Sequence, residues 1–531
     1  MMRLAPYFGM MLSTLLGASC MMADASRALE GAVPQCVNVD DCGDGYVCFL
    51  GGCVPDGEGI STIYAHITPA NDSAYLPQEI PGAVVLDDSL EVQWSLQEAI
   101  TLTGSLDSAN TAVEGGLLKA AYQSTIPGRE GSLHQTILDN GDFSLKVVPG
   151  NYTCTFAPEV VNNLPTINLE KSSGAIWAFN SDASLTINYP ETEQLITIAG
   201  SLKKQEEDSA TSPIAGALIR GSGMSPGGRE VQSTSVETDA SGLFSLIFPE
   251  GSTELKVHVE SGTETLLPEK VVALTDEDDL DNLELLLEVP NQYTISIDVS
   301  DAGNAAASDV SLLLEGQTDA GVFKTSATTD QNGKVENLEI FAGQYKIYAI
   351  PPVSQQSAAR SFDVDLEAPE STALSFTLSN KIKLSGKISA DDGSAAKNAS
   401  IRVKHILGDA VRQFNTNSDD MGNYEVMIDP GDAETPLQYE FSAQFNATSE
   451  LPFHRKLLNI YHQSTPLHIT LYRPAFIHGK ITTPENTGLP EAIVSIYSTE
   501  FSSNNSTPLL MGIALTDETG EFVLPIPSAT D

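Results

Sequence analysis

The sequence predicts an all-β protein, a tandem array of antiparallel β-sandwiches that follows a small disulfide-rich segment. Three observations predict it. Short runs alternate apolar and polar residues with period two, the pattern of strands with one buried and one wet face. A turn-and-strand unit recurs about every 90–100 residues. Four cysteines crowd between Cys36 and Cys53, ahead of the array. No amphipathic helix of three or more turns interrupts these patterns.

The strands come in a fixed order. A first strand carries a glycine on its apolar face, as in Ile100-Leu102-Gly104-Leu106, Ile196-Ile198-Gly200-Leu202, Ile382-Leu384-Gly386-Ile388 and Ala475-Ile477-Gly479-Ile481. The third copy replaces the glycine: Tyr293-Ile295-Ile297-Val299. A second alternating strand follows, clearest at Ala399-Ile401-Val403 and Ala492-Val494-Ile496. Then comes the turn: TDASGLFSL from Thr238, TDQNGKVEN from Thr329, SDDMGNYEV from Ser418 and TDETGEFVL from Thr516. LDNGDFSL from Leu138 is a copy shorter by one residue. The aspartate caps a tight turn and the glycine takes its positive φ. Asp139, Asp239, Asp330, Asp419 and Asp517 are separated by 100, 91, 89 and 98 residues, so the unit is a tandem repeat. Further strands follow, such as Tyr152-Cys154-Phe156 and Tyr345-Ile347-Ala349, giving roughly seven per repeat.

These residues carry a resemblance. The glycine strand, the small-residue second strand, the Thr-Asp-x-x-Gly turn and the Gly-x-Tyr strand resemble the carboxypeptidase-regulatory-like family over about positions 100–531. The resemblance implies Ig-like or transthyretin-like (CnaB-like) seven-stranded sandwiches. It implies little about function, because such modules serve as spacers, stalks and binding domains.

Length and charge set bounds. The 531 residues, 41% of them apolar, sustain several cores. The 71 acidic and 27 basic residues give a net charge of −44, which repels phosphate backbones and anionic lipid. Nucleic acid is therefore excluded as a partner.

The start of the chain reads as an export signal. Arg3 precedes the apolar run from Leu4 to Leu16, and small residues follow. Leu16-Gly17-Ala18-Ser19-Cys20 resembles a bacterial lipobox with its apolar residue one place early, which makes Cys20 the lipidation candidate. Ala23-Asp24-Ala25 offers ordinary cleavage instead. No later stretch approaches 18 uninterrupted apolar residues.

The string CVNVDDCGDGYVCFLGGC, from Cys36, has too few apolar residues to bury a core. Disulfides among Cys36, Cys42, Cys48 and Cys53 are the expected remedy, in any of three pairings. Zinc is the rival, but its sites usually show shorter C-x₂₋₄-C gaps. Asp41, Cys42, Gly45, Cys48, Gly51 and Cys53 resemble a small Dickkopf-like cysteine-rich motif found on secreted bacterial lipoproteins, which implies export and no chemistry.

Catalytic constellations do not emerge. His66, His134, His258, His405, His454, His462, His468 and His478 are scattered, with no HExxH, nucleophile elbow or phosphate loop. Neither a catalytic residue, a metal set nor a cofactor is expected. Asp276 to Asp281 is the densest acidic run, a candidate for calcium that reads more simply as a solvated loop. Trp94 and Trp177 fall at different places in their repeats and read as packing residues. Cys154 aligns with Val257, Ile347 and Phe441, so it is expected in the core.

The divisions are a signal or lipoprotein-type peptide at 1–25, a disulfide knot at 33–58 and a partial β unit at 60–98. Sandwiches 1 to 4 occupy 99–192, 193–290, 291–379 and 380–473, and an incomplete sandwich 5 occupies 474–531. Sandwich 5 lacks closing strands, whereas 60–98 looks like closing strands without an opening half. Two outcomes are open: a permuted frame in which both ends are whole, or an incomplete last unit with an unpaired apolar edge. Short sequential connections favour the second. The expected function is a non-enzymatic, exported structural or adhesive protein of the bacterial surface or outer membrane. The alternatives are a carbohydrate- or ligand-binding array and an accessory subunit of a secreted peptidase. The expected contacts are a surface protein or glycan, membrane only through the lipid, and calcium at acidic loops.

Overall fold

The computed structural model describes Cys42, the strands Tyr46–Phe49 and Gly52–Pro55, and residues 62–527 apart from 72, 85–88, 108–115, 139–140, 160–163, 170–176, 190–193, 206–209, 264, 319, 367–371, 446–448, 472–473 and 499–507. The described residues are all-β and contain no α-helix. The architecture is a series of Ig-like sandwiches, each made of two sheets: three strands on four in sandwiches 3 to 5, a four-stranded first sheet in sandwich 2, and second sheets of sandwiches 1 and 2 that merge into one of ten strands. Sandwich 4 shows the plan. Its first strand, Ile382–Ala390, lies between Asn423–Ile428, antiparallel, and Ile469–Leu471, parallel. Its second sheet runs Ala410–Asn417, Ser400–Leu407, Leu437–Gln444, His454–Ile460.

The repeated glycine makes room for the aromatic that follows the Thr-Asp turn. Gly104 faces Phe143, Gly200 faces Phe244, Gly386 faces Tyr424 and Gly479 faces Phe522 in register. A Cβ on Gly479 would stand 2.3 Å from the Phe522 ring. Sandwich 3 exchanges both partners: Ile297 replaces the glycine and Val335 the aromatic, again in register. The pair keeps its volume, which a close-packed core requires.

The turn itself is built as the residues suggest, with one addition. The Asp419 carboxylate accepts the N–H groups of Met421 and Asn423 at 2.9 and 2.8 Å, and Gly422 has φ +79°. Asp239, Asp330 and Asp517 do the same. The hydroxyl before each aspartate is buried and clamps the opposite loop. Thr329 Oγ1 donates to Ala307 O at 2.7 Å and accepts from Val310 N–H, and Thr238, Ser418 and Thr516 repeat that arrangement.

The ends of the array depart from both expected outcomes. The first strand of sandwich 5, Ala475–Thr482, pairs antiparallel with Glu521–Ile526 on one side. On the other side it pairs in parallel with Ser89–Ser95, from the opposite end of the chain. Thr62–Thr68 pairs antiparallel with Ile493–Ser498, and Gln78–Val84 extends that sheet. Ile63, Ile67, Ile477, Val494 and Leu524 share one buried core. The partial unit and the incomplete unit are thus two halves of a single sandwich, with the same strand order as sandwich 4. The unpaired edge expected from the sequence is filled because each half exposes the N–H and C=O rows that the other lacks.

Connectivity then closes the array. Three residues, 472–474, join sandwich 4 to sandwich 5, and four, 96–99, join sandwich 5 to sandwich 1. Four residues span at most about 14 Å. Sandwich 5 therefore neighbours both sandwich 4 and sandwich 1, and the five units form a ring.

Candidate functional site

The polar groups that could do chemistry gather where sandwiches meet. Each junction sets the last-sheet end of one unit against the hairpin of the next. Between sandwiches 1 and 2, Ile167 pairs with Val231 and the two sheets merge. Between 2 and 3, Glu269 N–H donates to Val322 O at 2.9 Å. Between 4 and 5, Phe453 packs against the core of the fifth sandwich.

The junction of sandwiches 3 and 4 holds the densest charge. Asp429 is fully buried. Its carboxylate accepts from His405 Nε2 at 3.0 Å, from Arg412 Nε at 3.0 Å and from Ala359 N–H of sandwich 3 at 3.0 Å. Arg412 also donates to Pro351 O at 2.6 Å across the junction. Burial raises the Asp429 carboxyl, but the hydrogen bonds from His405 and Arg412 and the Arg412 charge outweigh it and hold it below its ordinary range. Lys381 Nζ donates to the carbonyls of Val353 and Gln355, and burial lowers its pKa. Arg360–Asp432 and Lys324–Asp409 bridge the rim. His405 and Arg412 are cross-strand partners. The sequence offered one signal: His405 sits on the inward parity between Val403 and Leu407.

The junction of sandwiches 5 and 1 closes the ring. One Glu79 oxygen accepts from Ser124 Oγ at 2.8 Å, Thr125 N–H at 2.7 Å and Thr125 Oγ1 at 3.3 Å. Arg129 Nη1 lies 3.6 Å from the other oxygen, and the guanidinium covers the Tyr497 ring at 5.0 Å. A cavity of about 110 Å³ beside them is lined by His66, Glu79, Tyr122 and Arg129. Burial, and then the Arg129 charge, lower the His66 pKa to about 4.

One open groove, about 600 Å³, crosses the outer sheet face of sandwich 3. Glu315, Gln317, Lys324, Lys346, Asp363 and Asp365 line it. It is polar and of mixed charge, with no exposed aromatic ring among these residues.

The sequence candidates fall as follows. Cys20 and Cys36 lie outside the described residues. Cys42 is disulfide-bonded. Cys48 and Cys53 are cross-strand partners in a hairpin whose side chains lie outside the described set. Cys154 is buried in the core of sandwich 1. Trp94 stacks on Phe522 and Trp177 on Phe179, as packing residues do. In the acidic run, the Asp278 carboxylate accepts from Thr275 N–H and Oγ1, and Asp279 accepts from Asp281 N–H. The run is thus a self-capped turn. Among the described residues no group of three or more His, Cys, Asp or Glu is placed to hold a metal ion, and no helix is long and apolar enough to cross a membrane.

No family model matches the chain, and no curated protein matches it. Among solved structures it is similar to the streptococcal ancillary pilin, at 12% identity over 54% of this chain and 99% of that one, with a TM-score of 0.21. It is similar to the Bacillus anthracis TIE protein at 12% identity over 70% and 72%, TM-score 0.17. It is also similar to GBS52, the minor pilin of Streptococcus agalactiae, at 13% identity over 35% and 95%, TM-score 0.22. At these identities the likeness concerns the β-sandwich fold alone.

Proposed function

We propose that this chain is an exported, non-enzymatic structural protein of the cell surface, held from its N-terminal side and presenting a closed ring of carboxypeptidase-regulatory-like sandwiches. One observation carries the reading. The clustered polar side chains at the junctions, Asp429 with Arg412 and His405, and Glu79 with Ser124 and Thr125, join one sandwich to the next. Groups used in that way stiffen an assembly and are closed to a substrate. The signal-like start and the cysteine-rich segment support export. Lipidation at Cys20 and disulfides among Cys36, Cys42, Cys48 and Cys53 belong to this proposal, as does a lipobox-type anchor as the route to the membrane. Protease treatment of intact cells, with Cys20→Ala beside the parent chain, tests it. The parent should be membrane-associated and cut from outside, and the variant should be released to the soluble fraction. A chain shielded from added protease in intact cells, yet folded, contradicts the reading.

A second reading, a glycan- or ligand-binding array, is favoured by the groove on sandwich 3. A glycan array probed with the parent and with a Lys346→Glu, Asp363→Lys variant separates the two. Binding lost in the variant supports it, and no binding by the parent removes it.

A further inference from the structure

We infer that the fifth sandwich is a strand-exchange site whose partner is a second copy of this chain. Sandwiches 1 to 4 are each built from one continuous stretch, so opening one leaves its strands tethered side by side. Sandwich 5 is different. Its halves, 62–95 and 475–526, meet through the pairing of Thr62–Thr68 with Ile493–Ser498, the pairing of Ser89–Ser95 with Ala475–Thr482, the packing beneath them and side-chain bonds such as Gln93 to Asn486. When these pairs part, the ring opens and each half displays a complete, unpaired edge. The surface that fits the 475–526 half is the 62–95 half, and every copy of the chain carries one. The register and core residues are identical whether the donor is the same chain or another, so the exchanged sandwich loses no contact.

Concentration decides between the two partners. Closure within one chain is intramolecular and independent of protein concentration, which keeps dilute chains closed, whereas exchange between copies rises with concentration. Charge opposes the exchange, because each copy carries a net charge of −44. Added salt shortens the reach of that repulsion to about 3 Å at 1 M, so exchange should rise with salt.

Full-length chains carrying two different affinity tags are mixed, opened in mild denaturant, and returned to buffer at low and at high protein concentration. The expected result is material that carries both tags, scatters light as a dimer or larger closed ring, and forms only after opening, about tenfold or more at the higher concentration. Thr68→Cys with Ile493→Cys gives a control, since these two residues are register partners on the outer face. The oxidised variant should stay monomeric through the same cycle and regain exchange on reduction. Three results overturn the inference: no doubly tagged species from the parent, equal exchange by the oxidised variant, or a cysteine pair that fails to cross-link in the folded monomer.

Discussion

Sandwiches 4 and 5 have the same seven strands in the same order, yet they are assembled from the chain in opposite ways. Sandwich 4 uses residues 382–471 without interruption, whereas sandwich 5 joins 62–95 to 475–526. Side-chain contacts such as Gln93 to Asn486 in sandwich 5 span 393 residues of sequence. Loop-closure entropy grows with the logarithm of loop length, and contacts so distant form late. Their surroundings differ too. Sandwich 4 is fastened to its neighbour by Asp429, whose buried arginine partner stands at 3.0 Å, sandwich 5 to sandwich 1 by Glu79, whose arginine partner stands at 3.6 Å and is partly exposed. Equal local architecture therefore gives unequal stability, and the ring should open first at sandwich 5.

The largest expected effect strikes the fastening of sandwich 4. Asp429→Ala leaves Arg412 and His405 buried without their anion, a loss of about 3–5 kcal/mol. Chemical denaturation with hydrogen exchange should show sandwich 4 and its junction with sandwich 3 melting early, so that sandwich 5 is no longer the weakest unit. Unchanged protection there would show that the charge cluster contributes nothing.

A matched pair of glycine substitutions sharpens the contrast. Gly422 and Gly520 both have φ +79°, and a Cβ at either would stand 2.2 or 2.4 Å from a carbonyl oxygen. Valine at each should destabilise its own sandwich by about 1–3 kcal/mol. Gly422→Val should leave the ring closed, while Gly520→Val should raise exchange in 62–95 and 475–526 together. If Gly520→Val loosened only 475–526, the two halves would not be one cooperative unit.

The sequence carried a great deal of this. The Thr-Asp-x-x-Gly spacing located the four turns at Asp239, Asp330, Asp419 and Asp517, while Asp139 of the shorter copy lies outside the described residues, and alternation placed Cys154 in the core, because these are local patterns of short period. The compensation of Ile297 by Val335 is also visible once the two strands are aligned. The closure of the ring was not legible. Pairing between 62–95 and 475–526 is a property of edges that meet in space, and no spacing rule connects them. The Asp429 cluster was hidden for a similar reason. His405 and Arg412 lie on two strands and Asp429 just past the end of a third, and only the inward parity of His405 hinted at a buried charge.

At the seam, Glu79→Gln keeps the shape of the side chain and removes its charge. Three donors then face a weaker acceptor and Arg129 loses its ion partner, for a loss of about 1–2 kcal/mol. The change should appear as faster exchange in 62–95, with sandwich 4 unaffected. A loss shared by all five sandwiches would mean that they do not unfold separately.

The smallest effect comes from pH. The folded His66 pKa is lowered to about 4. As pH falls below the ordinary histidine value of about 6.5, the opened chain takes up a proton that the closed one refuses, so closure weakens between those values. With the ring partly in contact with water, the loss should be about 1 kcal/mol. The carboxyls of Asp330, Asp419 and Asp517 are held low by hydrogen bonds from the turns they cap, so their stabilisation persists until the pH falls toward the ordinary carboxylate range. Exchange in 62–95 measured from pH 7 to 4.5, with His66→Gln beside the parent, should show acid sensitivity in the parent alone. An identical slope in both would assign it to another group, and His454, whose pKa burial also lowers to about 4, would be next.

The central claim, that one sandwich made from both ends closes the ring, is tested most directly by a single cut. A protease site placed in the linker 288–291 divides the chain between sandwiches 2 and 3. The ring predicts that the cleaved protein keeps its uncut mass by light scattering in native buffer, because the 62–95 strands in one fragment remain paired with 475–526 in the other. It should separate into two fragments only in denaturant. Two fragments that part in native buffer, with the 475–531 end aggregating, would contradict the account.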